Sequence, residues 1–117
     1  ALRRPTPPGA STVRIVDGAV AVAAVDVLAS VSDELRREFV AAALGAVRDH
    51  DGRHQGNLID TLRVFLECDG SWVRTSNALH LHQNSVRYRI ARVEELTGRD
   101  LGSTKDRVDL YLALLLL

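Results

Sequence analysis

Methionine is absent from the 117 residues, cysteine and lysine occur once each, and aromatic residues make up only 4%. Each shortage excludes something. A single cysteine, Cys68, rules out an intrachain disulfide and a thiolate metal cluster, and it fits a reducing, cytoplasmic location. Few aromatics mean a core built from Leu, Val and Ala, which favours closely packed helices. No segment reads as a signal peptide. The apolar run Leu110 to Leu117 falls far short of the ~20 residues that span a bilayer, so no membrane partner is expected. Without an initiator Met, the sequence reads as a piece of a longer protein. All three prolines (Pro5, Pro7, Pro8) lie before Thr12. No phosphate loop, catalytic triad or dinucleotide fingerprint is present, so neither an enzyme nor a cofactor is expected.

What is present is ordinary for a folded chain: 46% hydrophobic and 26% charged residues. The 15 basic and 15 acidic residues cancel, which argues mildly against a nucleic-acid partner. Their distribution points the other way. Acids outnumber bases from Asp17 to Asp60, whereas His80 to Val93 holds Arg87, Arg89, Arg92 and two histidines and no acid. A local basic patch, rather than the total, is the electrostatic footprint of such a partner.

The expected fold class is mainly α, a helical bundle with a helix-turn-helix and one short N-terminal strand at Val13 to Val16. Residues 1–12 read as a linker or disordered lead-in. Residues 13–57 read as a mostly helical segment: an ambiguous Ala/Val-rich stretch from Ala19 to Ala29, taken as helix, then a helix capped by Ser32. That second helix has Asp33 and Glu34 in its first turn and Leu35, Phe39, Ala42, Ala43 and Ala46 at helical spacing. It is expected to end near Arg48, with Asp49 to Asn57 as a loop. Residues 58–117 read as a compact helical domain. Leu58, Leu62, Phe65 and Leu66 line one helix to Cys68. Asp69-Gly70 stops it, and Ser71 caps Trp72 to Leu79. His80-Leu81-His82 form a turn, and a longer helix runs from Gln83 to Thr97 with Gly98 as its C-cap. Ser103 or Thr104 caps a last helix.

The pattern inside the two central helices carries the functional reading. Val73 and Leu79 are apolar with small Ser76 and Ala78 between, Leu81 plugs the turn, and Val86, Ile90, Val93 and Thr97 form one stripe. That is what a helix-turn-helix needs. At about 100° per residue, Asn84, Tyr88, Ala91 and Glu95 lie opposite the stripe, with Arg87 and Arg92 on either side. Gln83 and Ser85 sit in the first turn, where free amides can receive phosphate. In such motifs the start of the second helix meets base edges in the major groove of double-stranded DNA. Gln83 and Asn84 suit adenine and Arg87 suits guanine, while Ser85, Arg89 and Arg92 suit backbone phosphates.

The segment His82-Gln83-Asn84-Ser85-Val86-Arg87-Tyr88-Arg89-Ile90, followed by Glu94-Glu95-Leu96-Thr97-Gly98-Arg99, resembles the C-terminal helix-turn-helix of the PucR/CdaR-type bacterial transcription regulators. The resemblance runs from Leu58 to about Leu116, and its core is also similar to Fis-type DNA-binding domains. It implies base contacts at Gln83 and Arg87 and a phosphate contact at Ser85. The family often has Arg where Gln83 stands, and His80 replaces the turn glycine of the Fis-type motif. Leu28 to His54 resembles the stretch upstream of this domain, the tail of a regulatory domain. A small-molecule effector would bind to domains further towards the N-terminus, outside this sequence.

Blander roles fit several of the same residues. The three arginines also fit a solvated helix face, Tyr88 fits a packing contact, and Trp72 fits an anchor or interface residue better than a stacking platform. His80-Leu81-His82 lacks the further ligands that a zinc site needs, so no metal is expected. Cys68 has no base beside it, and Glu94-Glu95 reads as a solvent face. A homodimer is expected, with Leu110 to Leu117 either supplying its interface or completing the domain's own core. The rival to a sequence-specific DNA-binding regulator is a helical protein-interaction module that does not bind DNA.

Overall fold

The structure, a computed structural model, describes residues 26–28, 30–54 and 56–117. The expectations for residues 1–25, the strand at Val13 to Val16 among them, lie outside the described residues. Among the described residues the helices from Asp33 onward follow in the order α1 (Asp33–His54), α2 (Leu58–Glu67), α3 (Trp72–Leu79), α4 (Gln83–Thr97) and α5 (Thr104–Leu116). No strand occurs among the described residues, and none of the described helices is long and apolar enough to cross a membrane.

The chain divides into two compact units, Ala1–Arg36 and Arg37–Leu117. In the first, residues 26–28 are helical and Ser32 opens α1. Its Oγ accepts the Leu35 amide at 3.1 Å, and Arg36 pairs with Asp33 at 2.6 Å.

In the second unit α2 is the hub, packed against α3, α4 and α5. Leu58, Leu62 and Phe65 turn into the core, as their spacing requires, and Thr61 joins them fully buried. The same core takes Ala43, Leu44 and Val47 from α1, Val86, Ile90 and Val93 from α4, Leu101, and Leu110, Ala113 and Leu114 from α5.

Two expectations for α1 need correction. The helix continues through Asp49 to His54 instead of ending near Arg48. Its buried face is Val40, Ala43, Leu44 and Val47, not the stripe through Leu35, Ala42 and Ala46, and Leu35 is 54% exposed. The Val and Leu side chains bury more apolar area than alanines, so they set the helix's rotation. The extension is held by Asp51, whose carboxylate accepts the amides of Leu58 and Ile59 at 2.9 and 3.0 Å.

Helix ends follow local chemistry. α2 closes with Asp69 at φ 57° and Gly70 at φ 77°, and the Gly70 amide returns to the Phe65 carbonyl at 2.8 Å. A Cβ on Gly70 would collide with the Arg107 guanidinium packed over it. Gly98, at φ 70°, ends α4. Ser103 caps α5, its Oγ accepting the Asp106 amide at 3.3 Å. Between them the loop is tied back to the helices: the Leu101 amide donates to Glu94 at 2.8 Å, and Arg99 reaches Asp109 at 2.6 Å.

Candidate nucleic-acid interface

α3, its turn and α4 form the expected helix-turn-helix. Ser71 caps α3, its Oγ accepting the Arg74 amide at 3.0 Å. The helix ends on His80 in the left-handed conformation (φ 57°, ψ 43°), with the Leu81 amide reaching back to the Ser76 carbonyl at 3.0 Å. This is the position where a glycine is usual, and histidine occupies it. Leu81 packs against the core, as a turn plug should.

The inner face of α3 differs from the expectation. Val73 is 53% exposed and Ala78 is exposed, while Thr75 and Ser76 turn inward. The short hydroxyl side chains let α3 lie close to α2 and α4. Ser76 satisfies its hydroxyl locally by donating to the Val73 carbonyl at 2.9 Å. Thr75 Oγ1 is buried with no hydrogen-bond partner.

The first turn of α4 is also more closed than the sequence suggests. His82 is the N-cap, and its Nδ1 accepts the Asn84 amide at 2.9 Å. The Ser85 and Val86 amides donate to the His82 carbonyl at 2.9 and 3.2 Å. Of the first-turn amides, that of Gln83 alone has no acceptor among the described residues. The free-amide anchor expected at Gln83 and Ser85 therefore narrows to one backbone group, with the Ser85 hydroxyl beside it.

Val86, Ile90 and Val93 are buried and Leu96 packs against the core, so the opposite side of α4 faces outward. Asn84, Ser85, Arg87 and Tyr88 are exposed, Tyr88 at 70%, and Gln83, Arg89 and Arg92 are half-buried. The three arginines take different partners. Arg87 lies over the Trp72 ring, 4.5 Å from guanidinium carbon to ring centroid. Arg89 donates to Thr61 Oγ1 at 3.2 Å, while that hydroxyl donates to the Asn57 carbonyl at 2.7 Å. Arg92 pairs with Glu95 one turn on, at 2.8 Å.

Two features of this surface are not legible in the sequence. Trp72, expected as an anchor, does sit against Phe65, with ring centroids 4.8 Å apart at 41°, but it also carries Arg87. On the other flank an open cavity of about 490 Å³ is lined by His50 and His54 of α1 and by Tyr88, Ala91, Arg92 and Glu95 of α4. The His50 and His54 rings lie 4.5 Å apart, tilted by 37°, and His50 Nδ1 is buried without a partner among the described residues. Burial, then the charges of His54, Arg92 and Arg53, hold His50 below its ordinary value, against the opposing pull of Asp51. The i, i+4 spacing of His50 and His54 is the available signal, but it falls in a polar segment whose local preference is loop. His80 and His82 are both exposed. No group of three His, Cys, Asp or Glu among the described residues is placed to hold a metal ion.

Comparison with known proteins agrees with this geometry. Residues 58–116 match the family model of the PucR C-terminal helix-turn-helix domain. The chain is 43% identical over 61 residues to the carbohydrate diacid regulator of Escherichia coli (strain K12), a match covering 52% of this chain and 16% of that protein. It is 30% identical over 70 residues to the DNA-binding transcriptional activator AdeR of Bacillus subtilis (strain 168), covering 60% of this chain and 17% of AdeR. It is 37% identical over 87 residues to YsfB of the same organism, covering 74% of this chain and 22% of YsfB. The chain thus spans between about a sixth and a fifth of the length of these relatives. No solved structure matches it.

Proposed function

The chain belongs to the family of the PucR C-terminal helix-turn-helix domain, and from that premise we propose that it is the sequence-reading end of a bacterial-type transcription regulator, with α4 entering the major groove of double-stranded DNA. One observation carries the reading. The first half of α4 presents a polar, acid-free surface of Asn84, Ser85, Arg87 and Tyr88 above a buried apolar face, and caps at His82 and Gly98 fix its ends.

In this reading Gln83, Asn84 and Arg87 meet base edges: the amides suit adenine and the guanidinium suits guanine. Tyr88 lies on the same face. Ser85 and the Gln83 amide receive a phosphate at the helix start. Arg89 and Arg92 take flanking phosphates; for Arg92 this means exchanging an exposed carboxylate, Glu95, for a phosphate.

The regulator acts as a homodimer, because a two-fold pair of such helices matches half-sites one helical turn apart. The C-terminal helix divides by face. Leu110, Ala113 and Leu114 are buried in the core, while Val108, Tyr111 and Leu115 are exposed on the other side, where an apolar stripe suits burial between copies. An effector, if one is used, binds to regulatory domains upstream, and the protein works in the cytoplasm without a membrane.

The test is fluorescence-anisotropy binding to a pool of duplex DNA at low and moderate salt. Binding should weaken steeply as salt rises. Arg87→Ala should cost about 1–3 kcal/mol on a preferred site, and Arg92→Ala should lower the salt slope by about one. If a folded chain binds no duplex even at low salt, the module instead contacts protein. The acid-rich stretch before Asp60 and the neutral total charge favour that second reading.

A further inference from the structure

We infer that Trp72 is a positioning residue for base reading: its indole holds the Arg87 guanidinium at the angle and height at which Arg87 meets a guanine. The inference rests on the DNA-binding reading above and deepens it.

The geometry is a series of four side chains in contact, Arg107, Phe65, Trp72 and Arg87, with the Phe65 and Trp72 rings tilted by 41°. Arg107 of α5 donates from Nε to the Leu101 carbonyl at 2.5 Å, which fixes its guanidinium 6.0 Å from the Phe65 ring centroid. Phe65 is 2% exposed and cannot move without disturbing the core. Trp72 leans on Phe65 at 4.8 Å, and Arg87 lies over Trp72 at 4.5 Å. Each member is held by the one before it, so the position of the exposed Arg87 is set by the core rather than by its own flexible stem.

The chemistry favours reading over storage. Stacking occupies the face of a guanidinium, while its five N–H donors lie in the plane and stay available for a bidentate contact. No carboxylate among the described residues pairs with Arg87. It therefore has no ion pair to break before meeting a base, in contrast to Arg92. An arginine already held in its bound rotamer loses less side-chain freedom on binding.

Trp72 is the sole tryptophan, so its contact with Arg87 can be followed without DNA. Arg87→Ala is expected to change the Trp72 emission intensity of the free chain, and an unchanged spectrum would mean the contact does not persist in solution. The probe for binding is a duplex recovered by the parent chain from a random pool. Its partner is the same duplex with one guanine replaced, at the position where Arg87→Ala loses discrimination. Trp72→Ala should weaken binding to the first duplex by about three- to ten-fold and binding to the second by less than about two-fold. Trp72→Phe should restore most of the loss, and Trp72→Ala should add nothing when Arg87 is already alanine. Urea midpoints of all variants separate this from unfolding.

Equal losses on both duplexes, or in both backgrounds, would reduce Trp72 to a packing residue and overturn the inference while leaving DNA binding intact. Recovery of no duplex at all would overturn the DNA-binding reading together with it.

Discussion

Asp51 caps a helix that begins seven residues after it: its two carboxylate oxygens accept the Leu58 and Ile59 amides at 2.9 and 3.0 Å. The residue in the N-cap position of α2, Asn57, makes no side-chain cap bond. A charged acceptor on two free amides at a helix N-terminus is among the stronger caps. Asp51→Ala should therefore cost about 1–2 kcal/mol of unfolding free energy, read from urea midpoints. Asn57→Ala, at the position where a cap is normally sought, should cost only a few tenths. The reverse order would mean that α1 does not extend to meet α2.

Thr75 points a hydroxyl with no partner into a fully buried site. Replacing it by a methyl of similar shape removes the desolvation cost and keeps the packing. Thr75→Val should gain about 1 kcal/mol. Thr75→Ser should lose stability, because it keeps the hydroxyl and gives up the methyl. Thermal and urea unfolding of the two variants together check this: a loss in both would show that the hydroxyl is satisfied.

His80 holds the left-handed position that closes α3, at φ 57°. Glycine takes that conformation without a Cβ penalty, at some cost in unfolded-chain entropy. His80→Gly should be stabilising by about 0.5 kcal/mol, and His80→Val should lose more than about 1 kcal/mol, because β-branching makes φ > 0 costly. Circular-dichroism melts of the two variants give the sign of each change.

Stability should fall with acid in two separate steps. His50 sits below its ordinary 6.5 in the folded chain, chiefly through burial and the nearby His54 and Arg92 charges. The unfolded chain then takes up a proton that the folded one resists. This contribution is complete above 6.5 and is lost as pH falls below it. Asp109 is the opposite type of group. The Arg99 guanidinium, donating at 2.6 Å, and then Lys105 hold it below its ordinary 3.8, although burial opposes them. Its contribution is present above 3.8 and is lost only as pH falls through the lower folded value. Urea midpoints followed across pH should show a first decline that His50→Gln removes and a second that Asp109→Asn removes. A first decline that survives His50→Gln would assign it to another group.

The sequence by itself determined the elements from α2 to α5. Their signals are local: an apolar stripe at helical spacing in Leu58, Leu62 and Phe65 and in Val86, Ile90 and Val93, Ser71 and Ser103 as caps, and Gly98 as a stop. Each of these acts within one or two turns, so a linear reading can find it. The same holds for the outward set on α4, because burying one face of a helix dictates which residues are left on the other.

The tertiary structure alone decided which residues of other helices those outward residues touch. Arg87 meets Trp72, Arg89 meets Thr61 and Arg92 meets Glu95. Two of these partners lie on other helices, and nothing in helical periodicity selects them. The extension of α1 was hidden for the same reason. Asp49 to His54 is polar and holds a glycine, so its local preference points to loop. What keeps it helical is a capping bond to α2 and a histidine pair facing α4, contacts that exist only after the helices have packed. Propensity is a matter of tenths of a kcal/mol per residue, and a buried face or a charged cap outweighs it.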